Sequence, residues 1–144
     1  AKVRKISALE DCGRVLDQQV VLGQLRGGIV MGIGDAILEE HIYSDDGEIL
    51  TSSFMDYLLP TVSEAPEFDL ALADDPRLFT ARSESGAKGV GEAGTIGAVG
   101  AVGCALSDAI SDRGGALNSL PGTPFRLFRA FNGHSATDIA EVMS

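Results

Sequence analysis

The sequence predicts an α+β domain in which two glycine-rich, buried helices pack on a small mixed sheet. Three observations point there. Short stretches of alternating apolarity open the chain and return near residue 67, and two longer stretches repeat at helical spacing. Read in order they give strand, helix, hairpin, strand, helix. A chain of 144 residues suits one domain with a real core, placed here at residues 1–130 with a polar tail at 131–144.

Residues 3–9 alternate loosely and read as a strand ended by Glu10-Asp11-Cys12-Gly13. Residues 20–40 follow as a helix, with Leu22, Leu25, Ile29, Ile33, Ala36 and Ile37 on one face. Gly23, Gly27, Gly28, Gly32 and Gly34 each cost about 1 kcal/mol relative to Ala in a helix interior. Such a load implies that something comes very close to the backbone, either a packed neighbour or the edge of a ligand. Asp46-Gly47, between Ile42-Tyr43 and Ile49-Leu50, signals a hairpin. Residues 53–59 read as extended up to Pro60, residues 61–66 as a linker, and residues 67–73 as a strand broken by Asp74-Asp75-Pro76. A second helix covers residues 95–111, with Ile96, Val99, Gly103, Leu106 and Ile110 on one side. Ala, Gly and Cys fill the rest, which predicts burial nearly all round. Residues 124–131 form a short apolar stretch before the tail.

Eleven basic residues against 21 acidic ones leave a net charge of −10, which argues against nucleic acid as a partner. Cys12 and Cys104 stand far apart, as do His41 and His134, so neither a disulfide framework nor a protein-ligated metal site is expected. The charged opening has no apolar core behind it, unlike a signal peptide, and Gln24, Arg26 and Asp35 speak against a membrane span over residues 20–38. The expectation is a cytoplasmic protein.

The chemistry concentrates in Ser85-Gly86-Ala87-Lys88-Gly89-Val90-Gly91-Glu92-Ala93-Gly94-Thr95. Gly89, Gly91 and Gly94 satisfy G-x-G-x-x-G, but no apolar strand precedes them and Asp112 ends a helix, so the dinucleotide reading fails. The phosphate loop fails too, for want of a Gly-Lys-Ser/Thr triplet. What remains is Glu92 in a glycine-flanked turn at a helix entrance. Glycines let the backbone approach a ligand and leave N–H groups free to point at it. A carboxylate there suits a general base, or it simply favours the positive end of the helix. Lys88 either binds an anion or is solvated.

Four blocks now matter together. They are Glu10-Asp11-Cys12-Gly13-Arg14-Val15-Leu16; Gly23-Gln24-Leu25-Arg26-Gly27-Gly28 through Gly32-Ile33-Gly34; residues 47–60 (GEILTSSFMDYLLP); and residues 88–97 (KGVGEAGTIG). In this order they resemble the molybdopterin-binding large subunits of the xanthine dehydrogenase, aldehyde oxidase and carbon monoxide dehydrogenase type, and Leu120-Pro121 to Arg129 is similar to that family's usual ending. The resemblance implies the C-terminal portion of a molybdenum hydroxylase, which transfers water-derived oxygen to an electron-poor carbon. It makes Glu92 the catalytic base, lets Gln24 contact the pterin, and brings the backbone around Lys88 and Gly91 near the cofactor. The implied cofactors are molybdenum–molybdopterin, shared with the rest of the large subunit, and iron–sulfur clusters and FAD on partner domains or subunits. The implied substrate is a small aromatic heterocycle, an aldehyde or a similar molecule, and the isolated chain is expected to be inactive. The family usually has Asn-Pro where Asp17-Gln18 stand, and its large subunit is several times longer. The rival expectation is a non-catalytic isolated or degenerate domain acting in assembly. The intact Gly-Gln and Lys-Gly-Val-Gly-Glu blocks favour the enzyme, because a domain released from catalysis has no need of a carboxylate in a glycine nest.

Overall fold

The structure is a computed structural model that describes residues 1–73, 75–79, 82–112 and 114–132. Two strands, β1 (Lys5–Glu10) and β2 (Glu67–Leu72), pair in parallel from Lys5↔Glu67 to Glu10↔Leu72. Antiparallel pairing among the described residues is confined to the isolated bridges Gly13↔Ala87 and Tyr43↔Ile49. Three helices accompany them: α1 (Gln18–Ile37), α2 (Ala93–Ser111) and α3 (Pro124–Phe131). A parallel pair needs a long crossover, and α1 lies within it.

Helix α1 begins two residues earlier than its periodicity suggests because Asp17 caps it. The Asp17 carboxylate accepts from the N–H groups of Gln19 (2.9 Å) and Val20 (3.1 Å). Asp and Asn are interchangeable at such a position, so the departure from Asn-Pro preserves the helix start. Leu25, Ile29, Ile33, Ala36 and Ile37 are buried as expected, whereas Val21 rather than Leu22 joins them. Ile29, Ile33, Ala36 and Ile37 meet Ala98, Val102, Leu106 and Ile110 of α2 and Leu127 and Ala130 of α3 in one core, against which Ile6, Ala8, Phe68 and Leu70 of the sheet pack, while Val21 and Leu25 join Cys12 in a second buried group.

Glycine governs how α1 meets α2. A Cβ on Gly32 would lie 2.6 Å from the Thr95 carbonyl oxygen, and one on Gly94 would lie 2.6 Å from that of Leu25. A Cβ on Gly28 would stand 3.0 Å from the Thr95 nitrogen. The two backbones touch, and no side chain fits between them. Gly34 is likewise closed, by Glu39 and Pro60. Gly23 and Gly27 are different: a Cβ at either position would meet nothing within 4 Å.

Two expectations need correction. Within this chain α2 is buried on one stripe, Gly94, Ala98, Val102, Leu106 and Ile110, and not all round. Ile96, assigned to the inner face, is 70% exposed. A helix of Gly, Ala, Cys and Val has little apolar asymmetry, and close approach at Gly94 selects the face instead. Within residues 53–59, read as extended, residues 53–57 form a turn instead: the Ser53 carbonyl accepts from the N–H groups of Asp56 (3.0 Å) and Tyr57 (2.8 Å). The Ser53 hydroxyl also donates to Asp56 Oδ2 at 2.7 Å, local bonding that competes with a strand. The hairpin forms around Asp46-Gly47 but pairs only at Tyr43↔Ile49, with the Leu50 N–H on the Ile42 carbonyl. Helix α3, capped by Thr123, runs through Phe131, and of the tail only Phe131 and Asn132 lie within the described residues. Asp74 and His134 fall outside them.

Candidate cofactor-facing site

The turn that carries Glu92 is held by the segment that follows β1. Gly13 bridges to Ala87, the Lys88 N–H donates to the Cys12 carbonyl at 2.8 Å, and the Arg14 N–H donates to the Gly86 carbonyl at 3.1 Å. The clip needs glycine at both crossing points. Gly13 and Gly86 have φ of +64° and +75°, and a Cβ on Gly13 would collide with the Gly86 carbonyl oxygen.

Asp11 joins the two sides through its carboxylate. Oδ1 accepts from the Gly13 N–H at 3.0 Å, and Oδ2 meets Lys88 Nζ at 2.6 Å. The Lys88 bond, followed by the Gly13 bond, holds this carboxyl below the usual aspartate range. Lys88 is thus tied at two points, its ammonium on Asp11 and its N–H on Cys12, with the side chain about one third exposed. Further along, Val90 and Ala93 pack on the buried group formed by Cys12, Val21 and Leu25. A cleft of about 160 Å³ opens between these segments, walled by Cys12, Leu16, Val20, Val21, Ala87 and Lys88 among others.

Between these anchors the backbone is bare. A Cβ on Gly89 or Gly91 would meet nothing within 4 Å. Among the described residues, no backbone partner engages the N–H of Gly89, Val90 or Gly91. Glu92 occupies the N-cap position of α2 in a helical conformation, and its side chain makes no capping hydrogen bond. The carboxylate is exposed. One turn on stands Ile96, 70% exposed, so the surface beside Glu92 is apolar and short of side chains.

Gln24 is exposed on α1. It shares a helical stripe with Val20, Gly27 and Met31, and Val20 and Met31 are exposed by 59% and 56%. The α1–α2 crossing brings the two elements to one junction: Gly94, two residues after Glu92, lies on Leu25, the residue after Gln24. The donor set here is one carboxylate, one carboxamide and a run of peptide N–H groups. Among the described residues no three His, Cys, Asp or Glu side chains cluster as metal ligands. Such a set fits a polar cofactor that brings its metal with its own ligands, and the side-chain-poor strip leaves room for the cofactor's edge. Asp11 is the residue that sequence reasoning missed. Its block was legible, but nothing in the sequence tied it to a lysine 77 positions away.

A molybdopterin cofactor-binding domain model matches residues 1–66. The nicotine 6-hydroxylase large subunit of Paenarthrobacter nicotinovorans is 42% identical over 132 residues, covering 92% of this chain and 16% of that protein. The carbon monoxide dehydrogenase large chain of Afipia carboxidovorans is 33% identical over 129 residues, covering 90% of this chain and 16% of that one. Among solved structures, quinoline 2-oxidoreductase from Pseudomonas putida 86 superposes with a TM-score of 0.86 at 36% identity, over 92% of this chain and 16% of that one. The chain thus spans about one sixth of the relatives it matches. It belongs to the molybdopterin-binding large-subunit family of the molybdenum hydroxylases, of which it is one segment.

Proposed function

We propose that this segment supplies the general base and part of the cofactor cradle of a molybdenum hydroxylase. The observation that carries the reading is that Gly23 and Gly27 of α1, and Gly89 and Gly91 of the Glu92 turn, each leave open space where a Cβ would stand. Gly28, Gly32 and Gly94 are explained by helix packing, but these four touch nothing in the chain. Helix-interior glycines that cost about 1 kcal/mol each and meet no neighbour make sense if a partner outside the chain lies against them.

Molybdenum–molybdopterin would supply the redox centre at which oxygen transfer to carbon occurs. Gln24 and the free N–H groups of 89–91 would hydrogen-bond the cofactor's polar edge, with Gln24 orienting the pterin. Glu92, free of any capping bond, would accept the proton released as the new carbon–oxygen bond forms, a role that typically contributes about 10²–10⁴-fold. Lys88 is a strut for the turn in this reading, and only the backbone that follows it approaches the cofactor. The remainder of the large subunit would provide the other pterin contacts and the substrate pocket, and iron–sulfur and FAD partners would carry electrons away. Relatives named for nicotine and quinoline are more similar to this chain than the carbon monoxide dehydrogenases, which favours a nitrogen heteroaromatic with an electron-poor carbon as substrate.

The test is Glu92→Gln in the assembled enzyme. We expect molybdenum and pterin content to match the parent enzyme while turnover falls at least ~10²-fold. Near-normal turnover would remove Glu92 from the mechanism.

A further inference from the structure

The turn that presents Glu92 has a weakness: Gly86, Gly89 and Gly91 fall within six positions, a backbone too permissive to hold a carboxylate in place by itself. Its ties come from elsewhere. Downstream of the clip, Val90 rests on the Cys12–Val21–Leu25 group. Upstream, the clip consists of two peptide hydrogen bonds and the carboxylate of Asp11, which grips both sides.

We propose that Asp11 is a positioning residue, latching the 86–91 turn to the segment after β1 through Lys88 and so setting where Glu92 is presented. This rests on the reading of Glu92 as base. The Asp11–Lys88 pair is about one third exposed on each side, and a pair so placed adds little to global stability. Its effect is geometric. Asp11 Oδ1 is fixed by the Gly13 N–H, so Oδ2 offers Lys88 a defined point of attachment, four residues before Glu92. Catalysis is sensitive to such placement, since an error of about 1 Å can cost ~10²-fold in rate.

Asp11→Asn isolates the contact, because the amide oxygen can still accept from Gly13 while the charge that holds Lys88 is gone. In the assembled, molybdenum-loaded enzyme we expect kcat to fall roughly tenfold or more, with KM within about twofold of the parent. Molybdenum and pterin per chain stay at parental level. Hydrogen exchange at the clip amides of Arg14 and Lys88 speeds up, while protection in α1 and α2 is unchanged. Lys88→Met, which removes the same contact from the other side, should match these losses, and Asp11→Asn combined with Lys88→Met should cost no more than either alone. Unchanged exchange and turnover in Asp11→Asn would overturn the proposal. So would a double variant whose losses add, which would make the two side chains act separately, or loss of molybdenum from Asp11→Asn. Glu92→Gln, run in parallel, separates the two ideas. If it turns over normally, the base assignment fails while exchange at the Arg14 and Lys88 amides still decides the latch.

Discussion

Tyr57 donates its hydroxyl to Glu39 Oε2 at 2.6 Å, and His41 stacks on its ring at 4.7 Å. The bond to Glu39, with burial and nearby carboxylate charge adding to it, pushes the phenol up to about 12. A raised folded value favours the neutral phenol in the native state. This contact therefore stabilises the fold fully below the ordinary tyrosine value near 10 and is lost as pH rises through about 12. In an alkaline titration followed by tyrosinate absorbance, Tyr57→Phe should remove a late-ionising phase; a difference titration with no such phase would refute the assignment. Asp11 works on the acid side with the opposite sign. Its depressed carboxyl contributes above the ordinary aspartate range, and the latch loosens as pH falls through the lowered value.

At the scale of elements, α1 carries two kinds of glycine, and they respond to substitution in opposite ways. Gly32→Ala places a methyl against the Thr95 carbonyl and Ala98, with no flexible neighbour to give way, and should destabilise the chain by about 1–3 kcal/mol. Gly27→Ala meets open space and should stabilise the isolated chain by roughly 0.5–1 kcal/mol through helix propensity. Urea unfolding followed by circular dichroism at low protein concentration measures both. In the assembled enzyme Gly27→Ala should instead lower molybdenum content, because the same methyl enters the strip proposed for the cofactor. A Gly27→Ala enzyme with full cofactor would argue that the strip faces something else.

Across the whole molecule, the exposed large apolar side chains include Leu9, Leu16, Phe54, Met55, Val62, Ile96 and Phe128, each at least two thirds exposed. A self-sufficient domain rarely leaves so much apolar surface to water. Helices α1 and α2 are also long and apolar enough to cross a membrane by length and composition, a test that the core helices of soluble proteins pass as well. The relatives matched are about six times longer, and we propose that further protein of that kind covers these surfaces. We expect the chain made alone to self-associate, bind a hydrophobic dye and show no hydroxylase activity. A monomer that binds no dye would show that these surfaces need no cover.

The sequence by itself determined roughly where the strands and long helices lie, because their signals are local: the alternation at β1 and β2 and the three-and-four spacing of α1. It also carried the block containing Glu92 and the one containing Gln24, since a side-chain-poor turn at a helix entrance and glycines in a soluble helix are visible without coordinates. Only the tertiary structure decided the parallel pairing, the buried stripe of α2, the division of the α1 glycines into packed and open, and the union of Asp11 with Lys88. Each of those depends on which surfaces meet. In small-residue helices and glycine turns, where neither propensity nor periodicity prefers a face, approach of the partner backbone makes the choice.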